Sequence, residues 1–175
     1  GPHTLTAVAR DAAGNSTTSA PVTSTVDNSA PPAPTPVAAY NFEEASGSTV
    51  TDVTGHGHTG TITAATRTTT GKNGRALSFN GSSAFVSIPD ASDLHLTTGM
   101  TLEAWVNPTS INGWECVLLK QDSNDLAYAL YGDNNGNDSG GPRVPSVSVR
   151  QNTTSSWTGG TSQLPLNTWT HLAAP

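Results

Sequence analysis

The stretch Met100-Thr101-Leu102-Glu103-Ala104-Trp105-Val106 changes face at every residue. A period of two puts Met100, Leu102, Ala104 and Val106 on one side and Thr101, Glu103 and Trp105 on the other, which is the pattern of a half-buried strand. A helix would scatter the same four apolar side chains around its circumference. Asn107-Pro108 stops the run, because proline offers no N–H to a sheet ladder.

On either side the chain repeats short β-prone runs between turn residues. Strands are read at Thr59 to Thr63, Arg75 to Phe79, Ala84 to Ile88, Cys116 to Lys120, Leu126 to Tyr131, Ser146 to Arg150 and Trp169 to Ala173. Asn80-Gly81 signals a hairpin that would set Leu77 and Phe79 against the same core as Val86 and Ile88. Gly71-Lys72-Asn73-Gly74 is a turn, and Ala91 to His95 reads as one helical turn opened by Ser92 or Asp90. Turn signals at this spacing describe an all-β sandwich.

The first residues read as a separate hairpin. His3 to Arg10 alternates, Asp11-Ala12-Ala13-Gly14-Asn15 turns, and Ser16 to Val26 is again β-prone. Two strands alone are marginal in water, so residues 1–27 are read as the remnant of a larger domain. Pro31, Pro32, Pro34 and Pro36 make residues 28–36 an extended linker. Residues 37–175 then form the main domain. Gly1 to Arg10 starts inside a strand-like pattern with no secretory leader, as expected of a chain cut from a longer one.

Composition narrows the function. The 175 residues carry a formal charge of −6, and the seven Lys and Arg are scattered, so nothing matches the phosphates of a nucleic acid. No apolar run approaches the roughly 18 residues of a membrane span, which argues against membrane insertion. Cys116 is the single cysteine, which excludes an intrachain disulfide and a cysteine zinc cluster.

Tyr40-Asn41-Phe42-Glu43-Glu44-Ala45-Ser46-Gly47, followed by Asp52 and then Gly55, Gly57 and Gly60, reads as an aromatic strand feeding a tight acidic loop. It resembles the opening of the laminin-G-like, concanavalin A-like jelly-roll family. Gly74-Arg75-Ala76-Leu77-Ser78-Phe79-Asn80-Gly81 is similar to that family's Gly-x-Ala-Leu-x-Phe-(Asp or Asn)-Gly segment. Val86-Ser87-Ile88-Pro89 with Leu94-His95-Leu96, then Thr101 to Val106, and finally Trp169-Thr170-His171 follow in the family's order. The resemblance implies a concanavalin A-like jelly-roll sandwich of antiparallel sheets, incomplete here because the family pattern runs on through further strands. It also implies a secreted or cell-surface bacterial protein that binds polysaccharide, a cell-surface glycan or an adhesion protein. Residues 1–27 resemble the last strands of a bacterial immunoglobulin-like repeat.

Candidate site residues follow from side-chain chemistry. Sugars stack on aromatic rings and bond to Asp and Asn, so Trp114, Tyr131 and Trp157 with Asp133 and Asn135 are the ligand-binding candidates. Trp105 and Trp169 read as packing residues, and His171 as a buried imidazole. Calcium takes six to eight oxygens, and Asp52, Glu44 and the carbonyls around Gly55 to Thr59 offer hard ligands. The resemblance places a structural calcium at Asp52, while the alternative reading of Asp52 is a loop carboxylate capping N–H groups. Lys120 to Asp125 compares with the Asp-Asn turn through which pentraxins bind calcium. His56 and His58 read as exposed loop residues. The Glu-x-Asp-x-x-Glu strand of related glucanases is absent from the sequence, and no Gly-x-Ser-x-Gly elbow occurs, so a non-catalytic module is expected.

Overall fold

The structure is a computed structural model and describes residues 1–26, 35–122, 126–135, 142–151 and 154–175. Most of the expected linker at 28–36 lies outside these residues, as do 123–125 of the Lys120 to Asp125 turn. The chain divides into two units, Gly1–Pro36 and Val37–Pro175.

The first unit is a ribbon of β1 (Pro2–Leu5), β2 (Val8–Arg10), β3 (Ser16–Thr18) and β4 (Val22–Thr25). Strand β1 pairs with β4 and β2 with β3, all antiparallel. The turn forms because one Asp11 carboxylate oxygen accepts the N–H groups of Ala13 and Asn15. Leu5, Val8 and Val22 are all exposed. A two-stranded ribbon of this kind has no core and does not by itself define an immunoglobulin-like domain, which needs about seven strands.

In the second unit, β5 (Thr49–Val50), β6 (Gly60–Thr63) and β9 (Phe85–Ser87) form one sheet, and β7 (Thr66–Thr68) pairs with β8 (Ala76–Ser78). Strand β10 (Leu102–Val106) pairs with β15 (Thr170–Ala174), and β11 (Trp114–Gln121), β12 (Leu126–Asn134), β13 (Ser146–Gln151) and β14 (Thr154–Gly159) make a four-stranded meander. The layers close on Leu102, Tyr128, Leu130, Leu164 and Leu172, with Val106, Val117, Val147 and Val149 packed around them. Alternation along β10 survives intact: Leu102 is buried while Thr101, Glu103 and Trp105 are exposed. The domain is an all-β antiparallel sandwich. Among the described residues no helix is long and apolar enough to cross a membrane.

Three local expectations are corrected, and one strand is added. Tyr40 to Phe42 form no strand; Phe42 has φ 59°, in the left-handed region, which breaks an extended run. The segment is held by side chains instead, with the Tyr40 hydroxyl donating to the His58 carbonyl and the Tyr40 and Phe42 rings stacked at 6.4 Å. Asn80-Gly81 does not make a hairpin, because β8 pairs with β7 and β9 with β6. Asn80 uses its side-chain oxygen to accept the N–H groups of Ser82, Ser83 and Ala84, and Phe79 and Ile88 are exposed. The helical turn is a short 3-10 segment, Ser92–Leu94, whose cap position is Ala91 with no side-chain cap bond. Strand β14, polar throughout except for Trp157, was not expected at all.

Candidate functional site

The four-stranded sheet turns one face to the core, and two neighbouring rows of the other face carry the rings. The register places Leu119, Ala129, Ser148 and Trp157 side by side, and Cys116, Tyr131, Ser146 and Gly159 beside them. Neither row contains a charged residue. Trp114 joins from the start of β11, where bulges shift the register against β12. The three rings converge: Trp114 meets Tyr131 at 5.2 Å and Trp157 at 5.4 Å, and Tyr131 faces Trp157 at 5.7 Å with 25° between planes. Trp114 and Trp157 remain 41% and 43% exposed, whereas Tyr131 is 9% exposed. Two indole rings held side by side at the surface are an exposed apolar patch of the kind that marks a contact site.

Asp133 and Asn135 lie at the end of β12, next to these rings, but are engaged by protein. Asp133 is fully buried, and one of its oxygens receives Arg143 Nε at 2.9 Å and Nη2 at 2.7 Å. Its other oxygen accepts the Asn135 N–H at 3.1 Å. Asp133 therefore anchors the segment that leads into β13, and Asn135, exposed at φ 50°, continues that turn. What the sheet face adds is a pair of hydroxyls. Ser146 and Ser148 are buried, and neither Oγ has a hydrogen-bond partner among the described residues. Leaving a buried hydroxyl unmet costs roughly 1–3 kcal/mol.

The acidic loop is built differently from a cation site. One Asp52 oxygen accepts the N–H groups of Ala39 and Thr54 and the Thr54 hydroxyl, at 3.2, 3.0 and 2.7 Å; the other accepts the His58 N–H at 3.2 Å. Burial alone would raise this carboxyl, but the bonds from Thr54, Ala39 and His58 outweigh it and hold it well below the usual carboxylate range. Positive φ at Gly55 and Gly57 lets the loop curl so that these donors converge. Glu44 is occupied elsewhere, accepting the Thr51 N–H at 2.6 Å and Arg67 Nη1 at 3.1 Å. Donor hydrogens surround Asp52 where a cation would have to sit. No group of three His, Cys, Asp or Glu among the described residues suits a metal. These residues do not fit calcium.

Two further polar clusters complete the surface. His58 is buried, not exposed, with Nε2 at 3.0 Å from Asp93, beside an open groove of about 450 Å³ that His56 and Asp90 also line. On the outer face of β10 and β15, Trp105 lies between His171 at 5.0 Å and the Lys72 ammonium at 4.6 Å. His171 is 40% exposed and sits opposite Trp105 in register, so it is a surface residue and not a buried imidazole.

A sandwich of antiparallel sheets with an aromatic patch on one sheet face has the outline of a binding domain. Residues 80–174, more than half of the chain, match the laminin G family of the concanavalin A-like lectin/glucanases superfamily, and the chain belongs to that superfamily. No curated protein and no solved structure matches it. At the level of the family, the chain is a carbohydrate- or protein-binding module.

Sequence reasoning singled out the three rings and read only Tyr131 within a strand, whereas all three stand on strands. It missed Arg143 and both serines. The only signal for the serines was the Ser146-Val147-Ser148-Val149 alternation, which says that both hydroxyls share a face and not that the face is covered.

Proposed function

We propose that this domain binds neutral polysaccharide outside the cell through Trp114, Tyr131 and Trp157, and does not cleave it. The observation that carries the reading is the convergence of three rings within 5.7 Å on two neighbouring, uncharged rows of one sheet face. Pyranose rings present apolar C–H faces that stack on aromatic surfaces, and their hydroxyls seek neutral partners. A polyanionic ligand would instead need free cationic groups, and Arg143, a cation beside the rings, already holds Asp133.

A glycoside hydrolase has one feature in its favour: Glu115 and Asp133 are cross-strand partners next to the rings. Paired carboxylates about 5–9.5 Å apart are what such chemistry uses. Asp133, however, exposes no atom and is locked to Arg143, while Glu115 accepts the Asn112 N–H at 3.0 Å. Neither is presented to a scissile bond, which favours binding without turnover.

Affinity electrophoresis in native gels cast with xylan, mixed-linkage β-glucan, mannan or starch tests the proposal. Retardation in at least one gel, with no release of reducing sugar, is expected. Free migration in all four, or measurable hydrolysis, overturns it.

A further inference from the structure

Tyr131 and Trp157 belong to β12 and β14, which are separated by β13 and therefore by two interstrand spacings, about 9.5 Å. They also sit in neighbouring rows, two residues or about 7 Å apart along the strands, so rings standing straight off the sheet would be about 12 Å apart. Theirs are 5.7 Å apart and nearly parallel, so they lean toward each other across β13. Beneath them on the same face, at the register positions of Tyr131 and Trp157, lie Ser146 and Ser148. Both hydroxyls are buried, and among the described residues neither has a hydrogen-bond partner.

A buried polar group without a partner is out of keeping with a finished interior, where such groups are nearly always satisfied. Here the two hydroxyls sit at the register positions of two rings that lie closer together than the strands that carry them. A sugar ring in van der Waals contact with both aromatic planes needs roughly 7–8 Å between them, twice the usual 3.5–4.0 Å carbon contact. The present spacing is too small for that, and the strand spacing is large enough.

We propose that Tyr131 and Trp157 form a clip, closed in this structure, that parts to admit one pyranose unit of a neutral polysaccharide, whose edge hydroxyls then pair with Ser146 and Ser148. Trp114, edge-on to Tyr131 at 67° and 5.4 Å from Trp157, borders the clip. The two serines are the polar specificity contacts of the site, and the rings supply the stacking. The inference rests on the polysaccharide-binding reading and adds to it a stoichiometry of one sugar ring between two aromatic planes, and the atoms that read it.

The test compares Ser146→Ala, Ser148→Ala and Trp157→Ala with the wild-type domain in the same four polysaccharide gels, alongside thermal melting. Each serine variant is expected to weaken retention 5- to 20-fold while leaving Tm unchanged or slightly raised, since no native hydrogen bond is lost. Wild-type retention in both serine variants, with retention lost in Trp157→Ala, overturns the clip and leaves the aromatic platform standing. A drop in Tm of several degrees with unaltered retention makes the serines structural and likewise overturns it. Failure of the wild-type domain to bind any of the four polymers rejects the clip together with the reading beneath it.

Discussion

Arg143 closes on a single Asp133 carboxylate oxygen, donating a hydrogen bond from Nε at 2.9 Å and holding Nη2 at 2.7 Å in the same ion pair, at the point where β12 ends beside the aromatic rings. Asp133 is fully buried, so the pair leaves a charge with no access to water if one partner is removed. Breaking a buried pair in this way costs about 3–5 kcal/mol, and Arg143 is itself 36% exposed, which puts the expected loss toward the lower end. Arg143→Ala should therefore lower the unfolding free energy measured in urea by about 3 kcal/mol. Loss below about 1 kcal/mol would mean that the pair is solvated.

Asp52 should make the fold acid-sensitive. Its folded-state pKa lies below the unfolded value, so the carboxylate's contribution is complete above an unfolded pKa near 3.9 and is lost as pH falls through the folded pKa. Denaturation followed from pH 6 down to pH 2 should show stability declining below about pH 4. Asp52→Asn, which cannot accept on both atoms, should be less stable at pH 7 by about 2–3 kcal/mol and show a shallower decline. A variant with the wild-type pH profile would contradict the role given to this loop.

Calcium offers a contrast between what the family implies and what these residues can hold. A ligand at 100 times its Kd adds about 2.7 kcal/mol, worth several degrees in Tm for a domain of this size. Because Asp52 is surrounded by donors, millimolar calcium against chelator should move Tm by less than about 1 °C. A rise of several degrees would show that the loop rearranges around the ion.

The two faces of β10 give a packing test. Leu102 is buried between the layers, and Leu102→Ala should cost about 3–5 kcal/mol. Thr101→Ala, one residue away on the exposed face, should stay within about 0.5 kcal/mol. Equal effects, measured by urea unfolding, would mean that the alternation does not set the face.

That alternation is why so much of the sandwich was legible. Leu102 to Val106 carries its own period and its own stop at Asn107-Pro108, and β13 announces itself through Ser-Val-Ser-Val. Pairing was less accessible, because the strong Asn80-Gly81 signal is local whereas the partners of β8 and β9 are chosen by the sheet as a whole. Tyr40 to Phe42 has the composition of a strand, but Phe42 turns left-handed and no partner strand pairs with the segment among the described residues. At the site, ring chemistry pointed to Trp114, Tyr131 and Trp157, yet their meeting depends on bulges in β11 and on a polar strand, β14, that no period reveals. Burial of Ser146 and Ser148 is a consequence of that meeting, and so lay beyond the reach of sequence.

The most direct test uses titration calorimetry with whichever polymer retards the domain most, comparing Trp157→Ala with Trp105→Ala. Both tryptophans are near 44% exposed, at 43% and 45%, but they stand on different sheets, Trp105 between Lys72 and His171. Loss of a central aromatic contact is worth about 2 kcal/mol or more, about 30-fold in affinity. Trp157→Ala should lose at least that much and Trp105→Ala should bind as the wild type does. Unchanged binding in Trp157→Ala, or an equal loss in Trp105→Ala, would contradict a site built on Trp114, Tyr131 and Trp157.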